Sequence, residues 1–563
     1  MYQPETSPVG GSLLLSALVA ALPLVTVFVL LGVFRVKAHW AGLSGLGVAL
    51  AVAVLGYGMP AGMAVLSASE GAAFGVFPIL WIVLAAIWLY QLTVVSGRFE
   101  DLRATFGLVS ADPRIQAIIV AFCFGGLLEA LAGFGAPVAI TGMMLVAVGF
   151  SALRAATTVL LANTAPVAFG AMAIPIVTAG DLTGIPYEEI GAMVGRQTPI
   201  LAFLVPLLLV FVVDGRRGMR QTWPAALVTG AVFALAQFVC SNYVSVELTD
   251  IVSSLAGALA LVLLLRFWQP AGGDEARAAL CSTGAETSSA NSGDLGGGAT
   301  ADSSAPAATL QQERMSPART LHALFPYLLV IAVFSVVKLW KPLDEALQSA
   351  TVEIGWPGLH GAVLTASGEP SSTTVYSFEW LSSPGTLLLL CGIIVAIVHR
   401  IPAVTAAREL VEVAVSLRWP AVTVASVLAL AYVMNQSGQT LTIGTWIGGA
   451  GAAFVFLSPV LGWLGVAVTG SDTSANALFA TLQQAAATKA GVEPTLLVAA
   501  NSAGGVMGKM ISPQNLTIAA TAVGLLGRES DIFRSAIKWS LGLLLVLCVL
   551  VALQATVLSW MIP

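Results

Sequence analysis

Asn501-Ser502-Ala503-Gly504-Gly505-Val506-Met507-Gly508-Lys509-Met510-Ile511-Ser512-Pro513 sets a lysine between the apolar runs Leu496-Leu497-Val498 and Ile518-Ala519-Ala520. A cation in such a stretch costs roughly 2.5–3.5 kcal/mol on bilayer insertion scales unless something pairs with it. The surrounding glycines and Pro513 argue against a regular helix. Irregular backbone at membrane depth is tolerated only where it is buried in protein or lines a cavity. The first half of the chain repeats the frame as Asn163-Thr164-Ala165, Gly170-Ala171-Met172 and Pro175. A shift of 338 residues (501 − 163) superposes Asn, Ala, Gly, Met and Pro without a gap. Matching interrupted segments in the two halves of a chain point to a transporter binding site.

Composition sets the class. Of 563 residues, 57% are apolar and 9% charged, and the mean hydropathy is +0.91. Soluble domains carry about 25% charged residues, so this is a polytopic membrane protein. The net charge of −5 says little, because the charges sit in loops. The cysteines (Cys123, Cys240, Cys281, Cys391, Cys548) are scattered without a C-x-x-C, which is neither a disulfide framework nor a zinc site. The first residues carry no basic n-region, and the apolar run 12–34 is too long for a signal peptide, so it reads as an uncleaved first span.

Span-length apolar runs fall near 12–34, 38–57, 73–96, 191–213, 223–243, 250–268, 321–340, 384–398, 418–435 and 535–560. In 115–178 and 441–526 the apolar sequence is punctuated by Gly, Pro, Asn, Ser and Thr. Each reads as a helix, a re-entrant hairpin and a broken helix. The predicted fold is all-α, with about twelve to fourteen transmembrane segments in two inverted repeats. The N-terminal half spans 1–268 and the C-terminal half 321–563. Between them, 269–320 is rich in Gly, Ser and Ala and reads as a disordered linker. A polar insert, 341–383, with Trp356, Tyr376 and Trp380, reads as an extramembrane loop with some local packing. Clusters such as Arg98, Arg103 and Arg114, or Arg216, Arg217 and Arg220, place the linker in the cytoplasm and the N-terminus outside. On that assignment the two hairpins enter the bilayer from opposite faces. Trp40, Trp81, Trp88, Trp223, Trp268, Trp340 and Trp560 mostly suit interface belts.

Three ionisable residues lie deep in this interrupted sequence: Glu129, Asp472 and Lys509. Lys509 suits an anionic substrate, assisted by helix N-termini freed at the breaks. Asn163, Thr164, Ser471, Thr473, Asn501 and Ser502 are the candidate hydrogen-bonding partners of that substrate. Glu129 or Asp472, its charge disfavoured by burial, is the candidate carrier of a coupling proton. Each has a plainer alternative. Lys509 could only neutralise Glu129 or Asp472, Glu129 could cap a turn, and Asn, Ser and Thr often only join membrane helices. Gly508-Lys509 looks like the end of a P-loop, but Ala503 and Met510 break that pattern. No hydrolase, zinc-protease or dinucleotide motif appears, so an enzyme, a cofactor, a metal site and nucleic-acid binding are not expected. The chain carries no ATPase motif, which makes an ion gradient the expected energy source.

At these motifs the chain resembles the bacterial lactate permease family. The resemblance rests on Ala132-Gly-Phe-Gly-Ala-Pro-Val-Ala-Ile140, Asn163-Thr-Ala-Pro-Val-Ala-Phe-Gly-Ala-Met172, Thr469-Gly-Ser-Asp-Thr-Ser474 and Gly508-Lys-Met-Ile-Ser-Pro-Gln514. Gly527-Arg-Glu-Ser-Asp531 and Trp560-Met-Ile-Pro563 extend it to the C-terminus. It implies uptake of L-lactate, often also D-lactate and glycolate, by proton symport across the bacterial inner membrane. It also implies the inverted repeats, paired hairpins and rigid-body carrier motion of the ion transporter superfamily. One departure is Ala130-Leu131 after Glu129, where the family usually has Gly-Ala; another is the length of the central linker. The expected partners are therefore a 2-hydroxy monocarboxylate, protons and membrane lipid. A homodimer is a possible assembly, and sodium coupling or a different small organic anion is the alternative reading. For sodium, Ser471, Thr473, Asn476 and Asn501 would supply oxygen ligands.

Overall fold

The computed structural model describes residues 1–277, 317–364 and 370–563, apart from Arg35, Leu108, Phe134 and Asp274. Among them, 9 helices are long and apolar enough to cross a membrane, or up to 11 when each of two bent pairs counts as one span. The helix Tyr187–Tyr243 leaves helical geometry at Asp214 and Gly215, which divides it into two span-length pieces. Counting both, with the shorter apolar helices Ala136–Ala147 and Pro384–Val398, brings the total into the expected range. The protein is an all-α polytopic membrane protein.

Its centre consists of two hairpins and two broken helices. The first hairpin rises through Pro113–Leu131, every residue of which is buried inside the protein. It turns at Gly133 (φ 31°) and Gly135 (φ 89°), where an L side chain would be strained. Pro137 then starts the second arm, Ala136–Ala147, in a first turn that needs no N–H from it. Next comes the first broken helix, Ala152–Ala162 and then Gly170–Thr183, its two parts bent by 60°. In the second half, Ala452–Thr469 and Asp472–Ala490 form the other hairpin, turning at Gly470 (φ 78°). Pro494–Lys509 and Pro513–Val523 form the second broken helix.

These pieces pack reciprocally. The second arm of the first hairpin lies on Pro513–Val523, and the second arm of the second hairpin lies on Gly170–Thr183. The first arms pack on the leading halves of their own broken helices, at Ala117–Phe124 with Ala152–Ala162 and Ala452–Thr469 with Pro494–Lys509. Each half of the chain thus completes the other.

The two breaks differ from what the repeated frame predicts. In the first, Asn163 caps a helix end, and Ala171, Met172 and Ala173 all take left-handed backbone (φ 47°, 60° and 59°). In the second, the helix runs unbroken through Asn501, Gly504, Gly505 and Gly508 and stops only after Lys509. The glycines serve close packing instead. A Cβ on Gly504 would strike Pro459 O, one on Gly508 would strike Trp463 O, and one on Gly462 would strike Asn501 O. Lipid tails provide no hydrophobic drive between membrane helices, so association comes from backbones brought together over small residues.

Ala38–Ala51 and Arg418–Gln436 pack together beside this block, with Gly42 set directly against Ser426. The insert contains the helix Lys341–Gln348 and an antiparallel strand pair, Val352–Gly355 with Val375–Phe378. It docks through Trp356 Nε1, which donates to Ser69 Oγ (3.1 Å), and Tyr376 O–H, which donates to Phe77 O (2.8 Å). Trp88 is not at an interface: it is buried and its Nε1 donates to Ala406 O at 2.9 Å.

Of the described residues in 269–277, read as linker, Ala276 is buried and others are tied to the body by hydrogen bonds. Arg114, fully buried, gathers them to the foot of the first hairpin. Its guanidinium donates to both Asp112 oxygens (3.0 and 2.7 Å), to Asp214 Oδ2 (3.2 Å) and to Ala271 O (2.8 Å). Arg277 Nη2 donates to Ala111 O at 2.6 Å. Residues 278–316 of the expected linker lie outside the described residues.

Candidate functional site

Both hairpin tips and both broken helices face one cavity of ≈ 300 Å³. The first half contributes Glu129, Gly133, Gly170 and Ala171; the second contributes Ser471, Asp472, Thr473, Lys509, Gln514 and Asn515. The remaining wall is His39 and Trp419, whose rings stack at 4.6 Å between centroids, with Thr423 and Val424.

Glu129 and Lys509 meet at its centre. Lys509 Nζ donates to Glu129 Oε1 at 2.6 Å, and both side chains are buried. Glu129 sits in the last turn of the first arm of its hairpin, and Gly170 makes room for it: a Cβ there would stand 3.0 Å from Oε1. Lys509 is the last residue of its helix, and its carbonyl is held by Ser512 Oγ–H (3.1 Å) and Asn515 Nδ2 (3.0 Å). That fixes the direction in which the lysine leaves the backbone. Glu129 Oε2 has no hydrogen-bond partner among the described residues.

Asp472 opens the second arm of its hairpin just after Ser471, whose Oγ accepts from Ser474 N. Its carboxylate lies against Gly505, where a Cβ would collide with Oδ1. Neither of its oxygens has a hydrogen-bond partner among the described residues. Helices begin at Asp472 and Pro513, at the edge of this cavity. A helix start presents free N–H groups and the positive end of the helix dipole, so the cavity combines one lysine with several weaker attractors for an anion.

The remaining sequence candidates divide in two. Asn163 and Thr164 lie beside Lys509 and Asn515 across a narrow gap, and Asn163 Oδ1 is unpartnered among the described residues. Thr164 Oγ1 donates to Leu161 O at 2.6 Å. Asn501 and Ser502 do not reach the cavity. Asn501 Nδ2 donates to Asn476 Oδ1 (2.9 Å), Ser502 Oγ–H donates to the same oxygen (3.0 Å), and Asn476 Nδ2 donates to Ser502 Oγ (2.8 Å). Gln483 continues the chain to Ser458, at 2.9 Å from its carbonyl. This buried network joins the second hairpin to its broken helix, the plainer of the two roles weighed for such residues.

Sequence reasoning missed Asn515, Gln514, His39 and Trp419, which have no charge or breaker signal of their own. It also missed Asp250, a fully buried carboxylate on the helix Thr249–Phe267. The signal for Asp250 was present: an acidic residue at the start of a long apolar run, with no basic residue within a turn.

An L-lactate permease family model matches residues 16–558, almost the whole chain. The chain belongs to that family. It is 42% identical to the L-lactate permease of Bacillus subtilis (strain 168) over 581 residues, covering 99% of both chains. It is equally, 42%, identical to the glycolate permease GlcA of Escherichia coli (strain K12), covering 100% of this chain and 99% of that one. The L-lactate permease of the same Escherichia coli strain is 41% identical over the full length of both. With its bundle of apolar helices, this family member is a multi-pass transport protein of the bacterial cytoplasmic membrane.

Proposed function

We propose that the chain imports L-lactate, and also D-lactate and glycolate, together with protons across the cytoplasmic membrane. The buried Lys509–Glu129 pair in the central cavity carries this reading. Buried, it is neutral, and the lysine has no second charge to offer a substrate. Protonation of Glu129 removes the anion that holds Lys509, and the carboxylate of a 2-hydroxy acid takes its place. The substrate enters as an anion and crosses with a proton, so the loaded site is as neutral as the empty one. That matters in an interior where an unpaired charge costs several kcal/mol. Ser471, Thr473 and Asn515 are in position to bind the substrate's hydroxyl and second carboxylate oxygen, and Asp472 is the second candidate for holding a proton. Asn163 and Thr164 act beside the lysine. The site offers one strong cation, which suits a monocarboxylate. Both hairpins and both broken helices move as one block past Ala38–Ala51 and Arg418–Gln436, carrying substrate and proton together.

Radiolabelled L-lactate uptake into proteoliposomes, with the outside acid and sodium absent, tests this. Uphill accumulation that a protonophore collapses is the expected result. Accumulation that appears only when sodium is added would replace the proton with sodium, for which Asp472 and the hydroxyls at the second hairpin tip supply oxygen ligands.

The network residues behave differently from the site. Asn476→Ala strips a partner from both Asn501 and Ser502, and an unsatisfied buried polar group costs about 1–3 kcal/mol. Thermal unfolding in detergent is expected to shift down by that order, while the L-lactate KM changes less than threefold. L-lactate binding weakened as far as in Lys509→Ala would return these side chains to the binding site.

A further inference from the structure

Asp250 plays no part in the cycle above. It is fully buried, both of its carboxylate oxygens lack hydrogen-bond partners among the described residues, and Ser254 Oγ one turn on is likewise unpartnered. Native structures rarely leave such groups unsatisfied, and each calls for an explanation. The packing shows what Asp250 faces. The helix Thr249–Phe267 lies on the first arm of the first hairpin, and a Cβ on Gly126 would stand 2.5 Å from Ser254 Oγ. One turn along from Gly126 is Glu129, and one turn back from Ser254 is Asp250. On helices, positions three or four apart share a face. The charges of Glu129 and Lys509 both reach Asp250. Cys240, on the helix Tyr187–Tyr243, lies within reach of the charges of both Asp250 and Glu247, and Glu247 stands three residues before Asp250 in the chain.

Glu247 connects this point to a second space. Its Oε1 accepts from Tyr187 O–H (2.9 Å) and its Oε2 from Ser245 O–H (2.6 Å). Glu247 and Tyr187 both line a cavity of ≈ 450 Å³ beneath the 341–383 insert, together with Asp181, Glu188, Glu353 and Glu379. This cavity shares no lining residue with the central one.

We propose that Asp250 is a proton-relay residue, passing a proton from the acidic cavity at Glu247 to Glu129 by a route separate from the substrate's. Asp250 takes a proton from the Glu247 side and becomes a neutral acid. It then gives that proton to Glu129, returns to carboxylate, and Glu129 releases Lys509 to the substrate. Only a proton changes hands, and no other bond forms or breaks. The relay rests on the proton-symport reading, which the experiment separates from it.

Asp250→Asn replaces the acid with a neutral group of the same shape that cannot pass a proton. In proteoliposomes, exchange of internal for external L-lactate at equal pH needs no net proton movement, whereas uphill uptake driven by a pH gradient does. The expected result for Asp250→Asn is exchange within about twofold of the unaltered protein, with gradient-driven accumulation reduced at least tenfold. Asp250→Glu, which keeps a titratable carboxyl, is expected to restore part of the accumulation. Undiminished accumulation in Asp250→Asn overturns the relay, as does loss of exchange together with accumulation. Failure of the unaltered protein to accumulate L-lactate in a pH gradient, while it still exchanges, overturns the proton reading and the relay with it.

Discussion

Lys509→Ala is expected to abolish L-lactate uptake and to weaken L-lactate binding on the order of a hundredfold or more. Truncating one partner of a buried, charge-assisted contact typically costs 2–5 kcal/mol, and every 1.4 kcal/mol is tenfold. The same change removes the 2.6 Å hydrogen bond that Nζ donates to Glu129 Oε1. An unpaired buried charge left by such a deletion costs about 3–5 kcal/mol, unless the group takes up a proton and becomes neutral. Two losses are therefore mixed in the single variant, and they can be separated. Lys509→Ala combined with Glu129→Gln leaves no stranded charge, so the double variant is expected to unfold near the temperature of the unaltered protein and still fail to bind. Isothermal titration of L-lactate alongside thermal unfolding reads both quantities. Binding of ordinary strength in a folded Lys509→Ala protein would remove the lysine from the site.

The second large effect is expected away from any charge. Gly504→Ala adds one methyl group where Pro459 O already lies against the helix. The obstacle is backbone, with no side chain to swing aside, so the helices Pro494–Lys509 and Ala452–Thr469 must separate. Overpacking a tight interior usually costs 1–3 kcal/mol, and here both helices are also hydrogen-bonded to the second arm, Asp472–Ala490, through Asn501–Asn476 and Ser458–Gln483. A fall in unfolding temperature and a low yield of folded protein are the expected readouts. Gly47→Ala is the matched control: nothing lies within 4 Å of its added carbon, and alanine is the better helix former. Equal unfolding temperatures for the two variants would mean that the glycine crossing contributes nothing.

Much of this was legible in the sequence because membranes punish exceptions. Glu129, Asp472 and Lys509 stand out in apolar surroundings, and the structure brings all three to one cavity. The punctuation of 115–178 and 441–526 by small and polar residues marked the two hairpins, which turn at Gly133, Gly135 and Gly470 through the backbone freedom these provide. The interpretation of Gly504, Gly505 and Gly508 went astray because glycine has two uses that one sequence does not separate. It can break a helix, or it can let another backbone come close. The left-handed turn at Ala171, Met172 and Ala173 left no trace, since neither alanine nor methionine favours that geometry; it is imposed by what surrounds it. Asn501 and Ser502 stand where Asn163 and Thr164 stand in the repeated frame, yet one pair joins helices while the other borders the lysine. Residue type signals that a polar group must be satisfied, and only the packing shows by what.

The charged foot of the first hairpin bears on how the chain can be taken apart and rejoined. Arg114 reads Asp112, Asp214 and the Ala271 carbonyl at once, and Arg277 clasps Ala111. The folded body therefore runs past the end of the helix Thr249–Phe267 as far as Arg277. A reporter, affinity tag or split point set at Gln269 would cut Arg114 off from one of its acceptors and discard the clasp, loosening the hairpin that carries Glu129. Placed after Arg277, the same join leaves the whole anchor with the N-terminal piece.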